Sequence, residues 1–222
     1  MISMQLSKKH YLLTAGNVLW YACLMFFSYL MLLITLQYIP VRTDVAFLQI
    51  KGDVTEVLHY RVAFFAHVYT GMFVLLSGML QFPSFIRGRF PALHKWSGRI
   101  YAVGIILVAG PSGLIMGYYA NGGLVSQTAF CILAVLWITF TWKGVAAIWA
   151  GDIKSHETWI YRSYALTLSA LSLRAWKWLL VFLFAPAPMD VYHIVSWLGW
   201  TGNLLVAEMI IRARGVNYKI ST

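Results

Sequence analysis

Acidic side chains are scarce in this chain: seven Asp and Glu among 222 residues, with charged residues of both signs making up only 11%. A soluble domain carries about 25%, so a water-soluble enzyme is excluded. Two cysteines, Cys23 and Cys131, are too few for a thiolate metal site, and both fall in apolar stretches at different depths, which excludes a disulfide-built scaffold. Charge is absent altogether from 18–38 and from 101–142, whereas about 20 helical residues suffice to cross the hydrocarbon of a bilayer. In its place stand 60% apolar residues, with ten Trp, thirteen Tyr and thirteen Phe. A disordered chain is excluded as well. The composition is that of a polytopic membrane protein. The first apolar run lacks a small-residue cleavage site and reads as a retained span rather than a signal peptide.

Hydropathy predicts an all-α transmembrane bundle of six spans, at 17–38, 60–82, 98–119, 124–149, 159–184 and 190–211. Helices are required because backbone N–H and C=O groups find no partner in lipid. The basic residues then fix an expected topology. Lys8, Lys9, Arg87, Arg89, Lys95, Arg99, Lys143, Lys154, Arg162, Arg212, Arg214 and Lys219 gather on one side, and Arg42, Lys51 and Arg61 on the other. The positive-inside rule puts both termini in the cytoplasm. A net charge of +10 is thereby a topology signal, and a nucleic-acid partner is not expected. Asn121-Gly122-Gly123 reads as a tight turn and Ala185-Pro186-Ala187-Pro188 as a stiff one that ends the fifth span. In the longest outer connection Asp44 is expected to cap a short interfacial stretch over 45–48. No connection is large enough for a soluble catalytic domain, so any chemistry belongs to the bundle or its rims.

Packing signals are small residues. Ala109, Gly113 and Gly117 recur at four-residue spacing and permit close helix approach. On the second span His67, Gly71, Gly78 and Gln81 share one face, which serves packing and also leaves room for a flat ligand.

Ionisable side chains within spans are costly and tend to face the interior. They sort into two layers. The outer one holds His67, His193 and Arg174, the last about 15 Å below the outer end of its span at 1.5 Å per residue. His67 with His193 forms an axial pair for a b-type haem, with Arg174 as propionate partner. The plain alternative is hydrogen-bonded histidines and an arginine that snorkels outward. The inner layer holds His94, His156, Arg99, Arg162 and Glu208. It reads as a second haem pair (His94 with His156), as a pocket for a quinone head group or lipid phosphate in which His and Glu move protons, or as a non-haem metal site of His94, His156 and Glu208. Here the plain alternative is inner-face anchoring with an ion-pair network. Two histidines 13 or 14 residues apart on one span, the pattern of stacked haems, are lacking.

Over 67–178 the sequence resembles the bacterial family of predicted membrane proteins known as domain of unknown function 2306. The resemblance rests on His67 and Gly71, on Gly78 with Gln81-Phe82, and on Pro91-Ala92-Leu93-His94-Lys95-Trp96-Ser97-Gly98-Arg99-Ile100-Tyr101. It continues through Pro111-Ser112-Gly113-Leu114 and is strongest over His156-Glu157-Thr158-Trp159-Ile160-Tyr161-Arg162-Ser163-Tyr164-Ala165-Leu166-Thr167, on to Leu173-Arg174. Lys95 and Ile160 depart from the family's usual Arg and Met, and His193 lies outside the resembling stretch. The resemblance implies a multi-pass protein of the bacterial inner membrane and marks His67, His94, Arg99, His156, Arg162 and Arg174. It carries no activity.

Two classes of function are in balance. One is a redox-associated membrane protein that binds haem b or a quinone. The other is a non-catalytic accessory or assembly subunit that binds no cofactor, its partners being lipids and other subunits of a membrane complex. A small transporter has less behind it, since no span shows a Gly/Pro break at mid-depth. A lipid-modifying enzyme lacks both a Ser/His/Asp arrangement and His-Glu-x-x-His.

Overall fold

The computed structural model describes residues 2–220, and the side chains of 1–15, 17, 46, 53 and 216–222 lie outside the described residues. Lys8, Lys9 and Lys219 of the charge argument are among these. Hydrocarbon leaves the backbone to satisfy itself, and the elements among the described residues are helical throughout. They are α1 (Ile2–Leu36), α2 (Leu58–Met79), α3 (Ser84–Arg89), α4 (Pro91–Tyr118), α5 (Gly123–Trp149), α6 (Ile153–Thr167), α7 (Ser169–Phe184) and α8 (Pro188–Ile220), with 3-10 turns at Ala46–Ile50 and Gly52–Glu56. Five of them are long and apolar enough to cross a membrane. The pair α6–α7, bent by 42°, adds a sixth if it counts as one span.

Three local details differ from the sequence reading, each for a physical reason. First, α4 begins at Pro91, because proline with its fixed φ favours the first helical position, and it carries a π turn over Gly104–Ala109. Second, the span expected over 159–184 breaks at Leu168 with neither Gly nor Pro nearby. The hydroxyls of Thr167, Ser169 and Ser172 bond back to the carbonyls of Ser163, Leu166 and Leu168, and such back-bonding bends helices. Third, Asp44 caps nothing. It takes a bidentate ion pair from Arg42 (2.7 and 3.0 Å), and Val45 stands at the N-cap of the 3-10 turn without a side-chain bond.

The main core joins α2, α4, α5, α6 and α8 through Val74, Tyr101, Ile105, Trp137, Tyr164 and Trp200. Inside it runs a network of hydroxyls. Tyr101 bonds Ser163 (2.7 Å) and Thr167 (2.9 Å), Thr141 bonds Ser163 (2.7 Å), and the Trp137 indole donates to Thr167 (3.0 Å). Such groups are costly in a core unless each is paired, and here they pin three helices together. A second, aromatic cluster of Tyr38, Tyr60, Phe64 and Phe65 closes the end where the 3-10 turns lie. Lys51 is buried there, donates to the Tyr119 carbonyl and to Asn121 Oδ1 (2.9 Å), and lies 5.3 Å from the Phe47 ring centre and 5.6 Å from that of Tyr60. Burial pushes its ammonium down to about 8. By contrast α1 buries least of the candidate spans, meeting the bundle through Leu24 against Leu75 and Leu171.

Candidate functional site

At the opposite end from Lys51, α2 passes through Pro83 into α3 and α4, and α5 turns through Asp152 into α6. Asp152 caps α6 by accepting from the Ser155 N–H at 2.9 Å. Gln81 at the end of α2 is buried, and its amide donates to Ser97 Oγ (2.6 Å) and to the His94 carbonyl (3.3 Å). That clamp fixes the first turn of α4 and thereby the direction of His94. On α6, His156 Nδ1 lies 2.8 Å from the Gly144 carbonyl. A carbonyl only accepts, so neutral His156 carries its proton on Nδ1 and leaves Nε2 with a bare lone pair.

Both imidazoles face a cavity of about 140 Å³, together with Gln81, Arg87, Glu157 and Tyr161. The two rings are within electrostatic reach of each other. His94 Nδ1 is buried and meets no hydrogen-bond partner among the described residues. A buried imidazole nitrogen without a partner forfeits on the order of 1–3 kcal/mol. The site can hold a proton on either imidazole and offers the Arg87 guanidinium, 3.7 Å from Glu157, to an oxygen acceptor.

Phe82, Arg87 and Tyr161 belong also to the wall of a second, larger cavity of about 860 Å³ between α1, α2, α6 and α8. Its sides are apolar (Trp20, Leu24, Met79, Leu168), and Arg87 and Arg214 stand among them as cations. The Arg214 guanidinium lies 4.8 Å from the Tyr161 ring centre. Thus a long apolar cleft adjoins a small polar chamber across one wall of two aromatic rings, Phe82 and Tyr161, whose centres are 5.0 Å apart.

The remaining sequence candidates lie elsewhere. Arg162 and Glu208 hold each other in a bidentate pair (2.5 and 3.0 Å), and the guanidinium lies 4.6 Å from the Trp159 ring centre. Neither lines the His94 chamber, so the metal set of His94, His156 and Glu208 is not assembled: an arginine outcompetes it for the carboxylate. No group of three His, Cys, Asp or Glu suited to a metal ion occurs among the described residues. Arg99 is exposed and lies 5.0 Å from the ring centre of Trp96 on its own helix. His67 Nδ1 bonds the Ala109 carbonyl at 2.8 Å, at the end of the π turn, and Gly113 lets its ring approach α4. His193 Nε2 bonds the Gly122 carbonyl at 2.8 Å. These two carbonyls are thirteen positions apart, so each ring is tied to a different stretch of α4 and the turn that follows it. Arg174 lies within electrostatic reach of His67 and donates to the carbonyl of Ala170 on its own helix.

Arg87, Arg214 and Tyr161 escaped the sequence reading. Tyr161 stands inside the strongest motif and was legible there. Arg87 and Arg214 look like any other residue of a basic flank, and only the fold aims them at the cleft.

A helical bundle of five or six candidate spans with a polar chamber at one end defines a polytopic membrane protein. Residues 64–211 match the family described as Predicted membrane protein (DUF2306), and the chain belongs to that family. It is a multi-pass protein of the bacterial inner membrane. No curated protein and no solved structure matches it.

Proposed function

We propose that this protein binds an isoprenoid quinone with its head group at the His94–His156 chamber. The observation that carries the reading is the buried, unpartnered Nδ1 of His94 in a chamber that backs on to an apolar cleft. A quinone matches that combination. Its tail needs a greasy slot, its ring packs on aromatic side chains, and its carbonyl oxygens accept hydrogen bonds and take up protons on reduction. The cleft supplies the slot, Phe82 and Tyr161 the rings, Arg87 a charged donor to a carbonyl oxygen, and His156 Nε2 an acceptor for a hydroxyl of the reduced form. The cleft volume lies within the ordinary range for small-molecule sites, about 300–1,000 Å³, whereas the chamber between His94 and His156 falls below it. A b-type haem, larger than a quinone head group, therefore has less to support it at that pair.

The same reading orients the chain. Arg87, Arg89, Lys95, Arg99, Arg212 and Arg214 collect at the His94 end, and Arg42, Lys51 and Arg61 at the other. Taking α6–α7 as one crossing, the positive-inside rule puts the chamber and both termini on the cytoplasmic side of six spans.

The test is chemical analysis of protein purified in mild detergent from its native membrane. Organic extracts should contain quinone near one per chain, recognised by its ultraviolet change on borohydride reduction, with no Soret band in the intact sample. Quinone at the level of a detergent blank would remove the proposal, and a Soret band in its place would return the site to haem.

A further inference from the structure

Arg174 is the costliest side chain that the quinone site leaves unused. It lies ten residues below Phe184, the last residue of α7, or about 15 Å along the helix. Its Nη1 donates to the Ala170 carbonyl at 2.6 Å, which is one turn further from that end. The guanidinium thus folds back toward the middle of the span instead of snorkelling outward, and its tip comes close to the centre of a hydrocarbon layer about 30 Å thick. No acidic residue pairs with it among the described residues. It is exposed in the isolated chain. Helix α1 meets α7 at Leu171 through Leu24.

Arg174 does not stand alone on that surface. Trp178 and Phe182 follow at intervals of four, so the three share one face of α7. The two rings are stacked, 5.5 Å between centres and 5° between planes, and both are exposed. An exposed stripe of two flat rings ending in a mid-span cation is a surface for another helix.

We infer that this stripe receives a transmembrane helix of a partner protein, one that carries an Asp or Glu near the bilayer centre to meet Arg174. Charge and depth select that occupant. A guanidinium in hydrocarbon requires an anion, and a phospholipid phosphate lies at the layer's edge, about 15 Å from its centre, on the side away from which the side chain points. A second copy of this chain does not supply the anion. Within its candidate spans Glu157 and Asp190 lie in the first two turns of their helices, and Glu208 is already held by Arg162. The inference is independent of the quinone reading.

The probe is a dye-labelled polyleucine helix with one central Glu, co-reconstituted with the protein in phosphatidylcholine vesicles, association being read as energy transfer from a donor dye on Cys23. The Glu helix should associate about fivefold or more tightly than the same helix with Gln, as an interhelical charged hydrogen bond of 1–2 kcal/mol implies. Arg174→Leu should abolish the difference, and Arg174→Lys should retain most of it. Since the Arg174 side chain, among the described residues, bonds the carbonyl of Ala170 on its own helix, Arg174→Leu is expected to melt like the wild type, and that melt is measured alongside. Equal association of the Glu and Gln helices, or an unchanged difference in Arg174→Leu, would overturn the inference. So would displacement of the Glu helix by phosphatidylglycerol, which would give the site to a lipid.

Discussion

Replacing Gly78 by alanine tests how the core sets the shape of the cleft. A Cβ built at Gly78 comes within 2.6 Å of Tyr164 Cε2 and 2.7 Å of Tyr101 Cε2, whereas carbon atoms rest about 3.5–4.0 Å apart. One or both rings must therefore retreat by about 1 Å. Tyr101 is held by two hydroxyl bonds in the core network, so Tyr164, which lines the cleft, should give more. Overpacking of this kind costs about 1–3 kcal/mol, and the better helix propensity of alanine returns about 1 kcal/mol, for a net loss of about 0–2 kcal/mol. At about 2–4 °C per kcal/mol for a chain of this size, the melting temperature should fall by up to about 8 °C. Gly71, two turns away on the same helix, is the comparison. Its added Cβ meets nothing within 4 Å, so Gly71→Ala should gain up to about 1 kcal/mol. Thermal unfolding of both variants in one detergent, followed by circular dichroism, reads the difference. A Gly78→Ala protein at least as stable as Gly71→Ala would refute the packing argument and with it the contact between α2 and the Tyr101–Tyr164 layer.

Tyr101→Phe removes the hydroxyl bonded to Ser163 and Thr167. It should cost about 1 kcal/mol, and the double variant with Ser163→Ala should cost less than the two singles summed, as a double-mutant cycle of thermal melts can read. Glu208→Leu and Arg162→Leu should each destabilise more than the two together, because either alone strands a partly buried charge; additive melts would contradict the pair. Lys51 makes stability depend on pH with a defined sign. Its folded value of about 8 lies below the about 10.4 of an exposed lysine, so between those values the unfolded chain binds more protons and stability rises with pH. The rise is at most on the order of 3 kcal/mol. It should be visible as a melting temperature that climbs between pH 7.5 and 9.5 in the wild type and stays flat in Lys51→Met.

The helical spans were legible because a bilayer imposes a length and an apolarity that few other structures need, and Val18–Leu36 or Gly123–Trp149 can be read by eye. The bend at Leu168 was not. It comes from hydroxyls turning back on their own helix, a habit that Ser and Thr show in many straight helices too. That His94 and His156 lie together was legible from their depth, and the tautomer of His156 was not, since it depends on which carbonyl the ring meets. Glu208 illustrates the limit of depth arguments. Depth alone groups it with the histidines, whereas the helix faces give it to Arg162. His67 and His193 were grouped by the same reasoning, which could not show that each ring is tied to its own carbonyl, Ala109 and Gly122.

The proposal that the His94 chamber holds a quinone head group is most directly tested by titrating a short-chain benzoquinone into the protein in lipid nanodiscs, with binding read from quenching of tryptophan fluorescence. The wild type should show one saturable site, and His94→Leu with His156→Leu should weaken it about tenfold or more, the equivalent of about 1.4 kcal/mol, with the melting temperature retained. Quenching that never saturates, or an affinity that the two substitutions leave unchanged, would contradict it.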